Sequence, residues 1–214
     1  LKFVLMAGGP EFLIPPLDHI EKDYQGPFSW IGIDRGAYAL ADKNIGMTAA
    51  VGDFDSVTAN EFQQIQGNAA QIIKHPAVKN ATDLELSVEF AVNNGASEII
   101  LLGATGGRLD HAQLTIQLMQ ICEIPLYIVD KFNRVRLLQP GKHVLTRSAF
   151  KYVSFLPAGV QIKELTLQGF KYEIEKMHIQ KGSSLCVSNE WDKTEAVVEL
   201  KGGDALFIES RDNI

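Results

Sequence analysis

At 214 residues, with 46% hydrophobic and 21% charged side chains, the chain has the length and balance of an ordinary globular protein with one large core or two small ones. A net charge of −6, with no basic cluster longer than two residues, argues against a nucleic-acid surface. No apolar run approaches the roughly 18 residues of a membrane span. The two cysteines, Cys122 and Cys186, are far apart in apolar settings and read as buried thiols of a cytoplasmic protein.

The N-terminus reads as a short strand and not as a signal peptide. Phe3 to Ala7 is a continuous apolar run ending in Gly8-Gly9-Pro10, the pattern of a strand buried on both faces. Ser29 to Ile33 is a second such run and ends in Asp34-Arg35-Gly36, followed by helical spacing of Ala37, Leu40 and Ala41. Thr48 to Val51 is a third, and it leads into Gly52-Asp53-Phe54-Asp55-Ser56. In an extended segment, Asp53 and Asp55 point to one side and Phe54 turns into the protein. Two carboxylates about 4 Å apart repel by roughly 4 kcal/mol at an effective dielectric near 20. The pair is therefore either a cation site or the polar turn and cap of a strand-to-helix connection.

Thr58 to Glu61 is a capping box that starts a helix running to about Gly67. Gln71 to Lys74 reads as a fourth strand. Residues 79–93 read as a helix with a second capping box, Thr82 to Glu85, and a face of Leu84, Val88, Ala91 and Val92. Asp83 suits the positive end of that helix. With Lys79 just before it, the same end is a ready phosphate site. Ile99 to Leu102 is a fifth strand, ending in the glycine-rich Gly103–Arg108, where arginine could bind phosphate bidentately. A helix starting near Asp110 and His111 faces the core with Leu114, Leu118 and Ile121, and Leu126 to Val129 is a sixth strand ending in Asp130. His19, His75, His143 and His178 lack the spacing of a zinc site.

Alternating strands and helices predict an α/β domain, three-layer α/β/α with a mostly parallel sheet. Gly8-Gly9, Asp34, Asp53/Asp55 and Gly103–Arg108 all follow strands, at the edge where such sheets bind ligands. After the Pro140-Gly141 break come short period-2 runs: 152–156, 162–167, 185–187, 196–200 and 205–208. They predict a small antiparallel β-sandwich or barrel. The expected domains are therefore 1–138 and 139–214.

Taken together, Gly52-Asp53-Phe54-Asp55-Ser56, Lys79-x-x-Thr82-Asp83-x-Glu85, Gly106-Gly107-Arg108-x-Asp110-His111 and Ser188-Asn189-Glu190 resemble the thiamine pyrophosphokinase family, in its bacterial form. The resemblance covers nearly the whole chain. It implies an ATP-binding catalytic α/β domain, a β-sandwich that binds thiamine, and a homodimer with active sites between subunits. It implies that Asp53, Asp55 and Asp83 hold Mg²⁺ and the triphosphate. Gly8, Gly9, Asp34, Arg35, Lys79, Thr82 and Arg108 fall on the nucleotide side. Asp110, His111, Tyr172, Ser188 and Asn189 fall on the thiamine side. The resemblance implies that Ser188 and Asn189 are polar contacts to the thiamine ring and that Tyr172 stands where eukaryotic relatives have a tryptophan stacking on it. Where the family often has glycine after the Asp34 position, this chain has Arg35. Two other readings of the same residues are a Mg²⁺-dependent nucleotide phosphohydrolase and a non-catalytic nucleotide-binding protein whose β-domain is an interaction module.

Overall fold

A computed structural model describes residues 1–76 and 80–212. The chain divides into two compact units, Leu1–Lys131 and Phe132–Ile214. The break falls earlier than the expected boundary after 138, because the strand at 133–138 pairs with the last strand of the second unit.

In the first unit, strands β1 (Lys2–Met6), β2 (Phe28–Ile33), β3 (Ala49–Gly52), β4 (Ile72–Lys74), β5 (Glu98–Leu102) and β6 (Leu126–Val129) pair in parallel in the order β4-β3-β2-β1-β5-β6. From β1 to β4 the chain steps one way along the sheet. It then returns past β1 and steps the other way through β5 and β6. Right-handed crossovers require helices on opposite faces for the two directions. Accordingly α1 (Leu17–Tyr24), α2 (Arg35–Asp42) and α3 (Ala59–Asn68) bury Ile20, Leu40 and Ile65 against Val4, Met6, Ala50 and Leu102. Phe3, Leu5, Ile99 and Leu101 alternate to the other face. There α4 (Asp83–Asn93) lies over β1, β2 and β3, and α5 (Leu109–Ile121) lies against β6.

Several boundaries differ from the sequence reading. Helix α4 begins at Asp83 and not at 79, because Thr82 is an extended cap residue whose hydroxyl accepts the Glu85 amide. On α5 only Leu118 of the three expected core residues is buried. Thr115 and Met119 face inward beside it, while Leu114 and Ile121 are exposed. Helix α1 carries only Ile20 and Tyr24 as buried positions, too few to mark a period.

Within the second unit the strands pair antiparallel in two sets of four. One runs β12 (Asn189–Glu190), β9 (Tyr152–Pro157), β14 (Ala205–Ser210), β7 (Asn133–Leu138). The other runs β11 (Ile174–Gln180), β10 (Gln161–Gln168), β13 (Glu195–Leu200), β8 (Gly141–Thr146). Their inner faces share one core, centred on Phe155 with Phe170 and Phe207 at 5.5 and 5.2 Å. Residues 185–187, expected as a strand, form a turn, with Leu185 and Val187 exposed and Cys186 buried.

Candidate active site

The sheet order reverses between β1 and β5, so the loops leaving these neighbours diverge and open a crevice at their carboxyl ends. At Gly9 and Gly103 the two loops touch through main chain, and further along the Leu13 side chain packs against Gly106. The Gly9 amide donates to the Gly103 carbonyl at 2.8 Å, and a Cβ on Gly9 would lie 2.3 Å from that same oxygen. Gly103 has φ +67°, and a Cβ there would meet the Ala7 carbonyl at 2.3 Å. Glycine is required at both positions. The result is a cavity of about 710 Å³ between these loops, the end of β2 and the start of α4.

Asp34 closes one side. It sits at φ +46° directly after β2, its amide donating to the Val51 carbonyl at 3.0 Å. Its Oδ1 accepts the Phe54 amide at 3.3 Å. The ends of β2 and β3 are thereby tied together.

The segment 53–56 is not extended, contrary to the expectation for Asp53 and Asp55. Strand β3 stops at Gly52, and Phe54 adopts φ +59° with its ring buried 5.0 Å from Phe62. Asp53 Oδ1 accepts the Asp55 amide at 3.0 Å, the hydrogen bond of an Asx turn. Both features of the segment therefore coexist: Phe54 points inward as expected, and the aspartates are held by a turn. Arg35 lines the cavity and reaches the start of α3, with Nη1 3.3 Å from the Ser56 carbonyl and 3.3 Å from Glu61. The Glu61 carboxyl is held below its ordinary range, first by the Thr58 amide and also by Arg35.

On the opposite side, Thr82 and Asp83 bring the N-terminus of α4 to the cavity, and the positive end of a helix favours an anion. Lys79 lies outside the described residues. Arg108 and His111 also line the space. Arg108 forms a two-pronged pair with Asp110, Nε to Oδ1 at 3.1 Å and Nη2 to Oδ2 at 2.6 Å. That hydrogen-bonded pairing lowers the Asp110 carboxyl and raises the Arg108 guanidinium from their usual ranges. Beneath the loop, Thr105 Oγ1 donates to the buried Asp130 at 2.6 Å. Neither Thr105 nor Asp130 was among the expected site residues. The signal was a strand ending in aspartate, as β2 does.

Of the expected nucleotide-side residues, Gly8, Gly9, Asp34, Arg35, Thr82 and Arg108 line this one cavity. Asp83 and His111 join them, whereas Asp53, Asp55 and Asp110 are not part of its lining. Among the described residues, no three His, Cys, Asp or Glu side chains converge closely enough to hold a metal ion. The carboxylates of Asp34, Asp83 and Glu85 line the cavity, and oxygen donors of this kind match Mg²⁺. That ion is usually held through one or two carboxylates, with waters and substrate phosphates completing its octahedron.

Of the residues expected on the thiamine side, Tyr172, Ser188 and Asn189 lie in the second unit. Tyr172 is exposed, with the Lys171 ammonium 5.4 Å from its ring centre. Ser188 has φ +57° and donates its amide to the buried Ser154 hydroxyl at 3.0 Å. Asn189 is buried, and its carboxamide is bonded to main chain.

Comparison with known proteins matches residues 27–126 to the thiamin pyrophosphokinase catalytic domain and 142–203 to the thiamin pyrophosphokinase vitamin B1 binding domain. The thiamine pyrophosphokinase of Bacillus subtilis (strain 168) is 36% identical over 212 residues, 97% of this chain and 98% of that one. The crystal structure of the Bacillus subtilis enzyme covers 99% of this chain and 100% of its own, with a TM-score of 0.90 at 35% identity. That of the Geobacillus thermodenitrificans protein covers 100% and 99%, with a TM-score of 0.87 at 34% identity. With both domains matched in order and the likeness running end to end, this chain belongs to the thiamin pyrophosphokinase family.

Proposed function

We propose that the chain transfers the pyrophosphoryl group of ATP to thiamine, giving thiamine diphosphate and AMP. The hydroxyethyl oxygen of thiamine bonds to the β-phosphorus, the bond from that phosphorus to the α-phosphate oxygen breaks, and the hydroxyl proton passes to a carboxylate or water. The single observation that carries this reading is the cavity at the β1/β5 reversal, walled by glycine main chain, a helix N-terminus and Arg108. It is a chemistry for phosphates, in a chain whose family is defined by that transfer.

Gly8, Gly9 and Gly103 let the triphosphate approach the backbone, and the amides at Thr82 and Asp83 face its charge. Arg108 binds phosphate oxygens in the two-pronged manner it now uses with Asp110. Asp34 and Arg35 fix the β2 edge of the nucleotide site. We assign Asp53, Asp55 and Asp83 to Mg²⁺, which when bound supplies charge neutralisation on the triphosphate. On the thiamine side we place Asp110, His111, Tyr172, Ser188 and Asn189, with the Tyr172 ring stacking on the cationic substrate. The proposal includes a homodimer with active sites between subunits. It also places the protein in the cytoplasm, where two free cysteines stay reduced. Among the described residues no helix is long and apolar enough to cross a membrane.

The test is direct. Purified protein with ATP, Mg²⁺ and thiamine should produce AMP and thiamine diphosphate in equal amounts, and without thiamine AMP should stay at background. Release of inorganic phosphate without an acceptor would instead mark a hydrolase.

A further inference from the structure

Asn189 is only 3% exposed, and its carboxamide is committed to its neighbours' main chain. Oδ1 accepts the Tyr172 amide at 3.0 Å and the Glu190 amide at 2.9 Å, while Nδ2 donates to the Tyr172 carbonyl at 2.8 Å. One side chain therefore grips both polar groups of the Tyr172 backbone, as a paired strand residue would. The grip extends a short ladder. Phe170 bridges Trp191, and the Lys171 amide donates to the Glu190 carbonyl at 2.9 Å. The Phe170 and Trp191 rings pack 5.2 Å apart in the core, and Lys171 pairs with Glu190 at 2.7 Å. The ladder carries the chain out of the core to Tyr172, a residue 57% exposed. An exposed aromatic on an irregular segment would otherwise lose orientation to backbone freedom, and pre-organisation is what a stacking platform needs.

We propose that Asn189 is a positioning residue for Tyr172 and does not itself touch thiamine. This rests on the reading of Tyr172 as the ring that stacks on thiamine. Asn189 thus acts on thiamine affinity through a main-chain clamp.

The test combines kinetics with hydrogen exchange on the full chain, using Y172A, N189A, N189D and the double variant Y172A/N189D. N189D keeps the two acceptor bonds and replaces only the donor to the Tyr172 carbonyl, so it stays informative if N189A fails to fold. Y172A should raise the thiamine KM at least about 10-fold with the ATP KM unchanged. N189D should raise the thiamine KM about 5- to 10-fold. The double variant should match Y172A alone, because a clamp has nothing left to position. Multiplying effects in the double variant would mean that Asn189 meets thiamine directly, and would overturn the proposal. Exchange of the Tyr172 amide should quicken at least about 10-fold in N189A, which removes the acceptor of that amide, while the Phe155 and Phe207 amides stay protected. If N189A does not fold, the kinetics of Y172A, N189D and the double variant decide. An unchanged Tyr172 amide in folded N189A would also overturn the proposal. If Y172A leaves the thiamine KM unchanged while exchange at residue 172 still rises, the clamp stands and the stacking role of Tyr172 falls.

Discussion

A Cβ placed on Gly52 would lie 1.9 Å from Asp34 Oδ1. The carboxylate at the end of β2 therefore occupies the space that any side chain at the end of β3 would need. Gly52 also has φ +153°, which disfavours an L side chain. Gly52→Ala should destabilise the chain by about 2 kcal/mol, read from the urea midpoint. Adding Asp34→Ala should recover about half of that loss, because the steric conflict goes while the backbone preference stays. Activity should not return. Strictly additive losses in the double variant would refute the steric account.

Asp53→Asn and Asp83→Asn should each lower kcat on the order of 100-fold or more while the thermal midpoint stays within a few degrees. Asp83 helps the start of α4, so Asn, a good residue near helix starts, isolates charge from fold. The Mg²⁺ concentration for half-maximal rate should rise in both variants. Near-normal AMP release from either one would remove it from the metal assignment.

Burial pushes the Cys186 thiol up to about 11. The folded chain thus holds this proton more tightly than the unfolded one, whose thiol ionises near 8.5. Its contribution to stability is complete below about pH 8.5 and is lost as pH rises toward 11. The urea midpoint of the wild-type chain should fall across this window more steeply than that of Cys186→Ala. Parallel slopes would show that the thiol does not take part. Below pH 8, a thiol reagent should label the partly exposed Cys122 well before Cys186.

Active sites between subunits predict complementation. In a mixed dimer purified through two tags, with D53N on one chain and Y172A on the other, one site carries both substitutions and the other carries none. Such a dimer should show about half of wild-type activity. Activity no higher than that of the parent variants would place each site within one chain. A monomeric mass in solution would remove the homodimer from the proposal.

The parallel sheet was legible because strands buried on both faces read as plain apolar runs, as Phe3–Ala7 and Ile99–Leu102 do. Strand β7 was not, because two arginines interrupt its pattern. Arg134 pairs with the buried Glu209, and Arg136 lies 5.4 Å from the Phe207 ring centre, so both are half-buried despite their charge. Strand β11 was hidden by irregular pairing with β10, where Glu164 and Lys176 take positive φ and break the alternation. At the site, residue types were readable and geometry was not. Nothing in Asp53-Phe54-Asp55 announces a left-handed phenylalanine, since that conformation is imposed by Phe62 and the Asp34 carboxylate from elsewhere in the chain. The same holds for Asn189, whose partner Tyr172 is brought to it only by the folding of the second unit.

The contact between Gly9 and Gly103 has a bearing on how such a chain can vary. Where the loops cross at these two residues, amide meets carbonyl, and their spacing is set by strand register and by the absence of a side chain at either position. A lineage that keeps the β1–β5 pairing and these two glycines inherits the phosphate-sized opening, whatever else it rewrites around it.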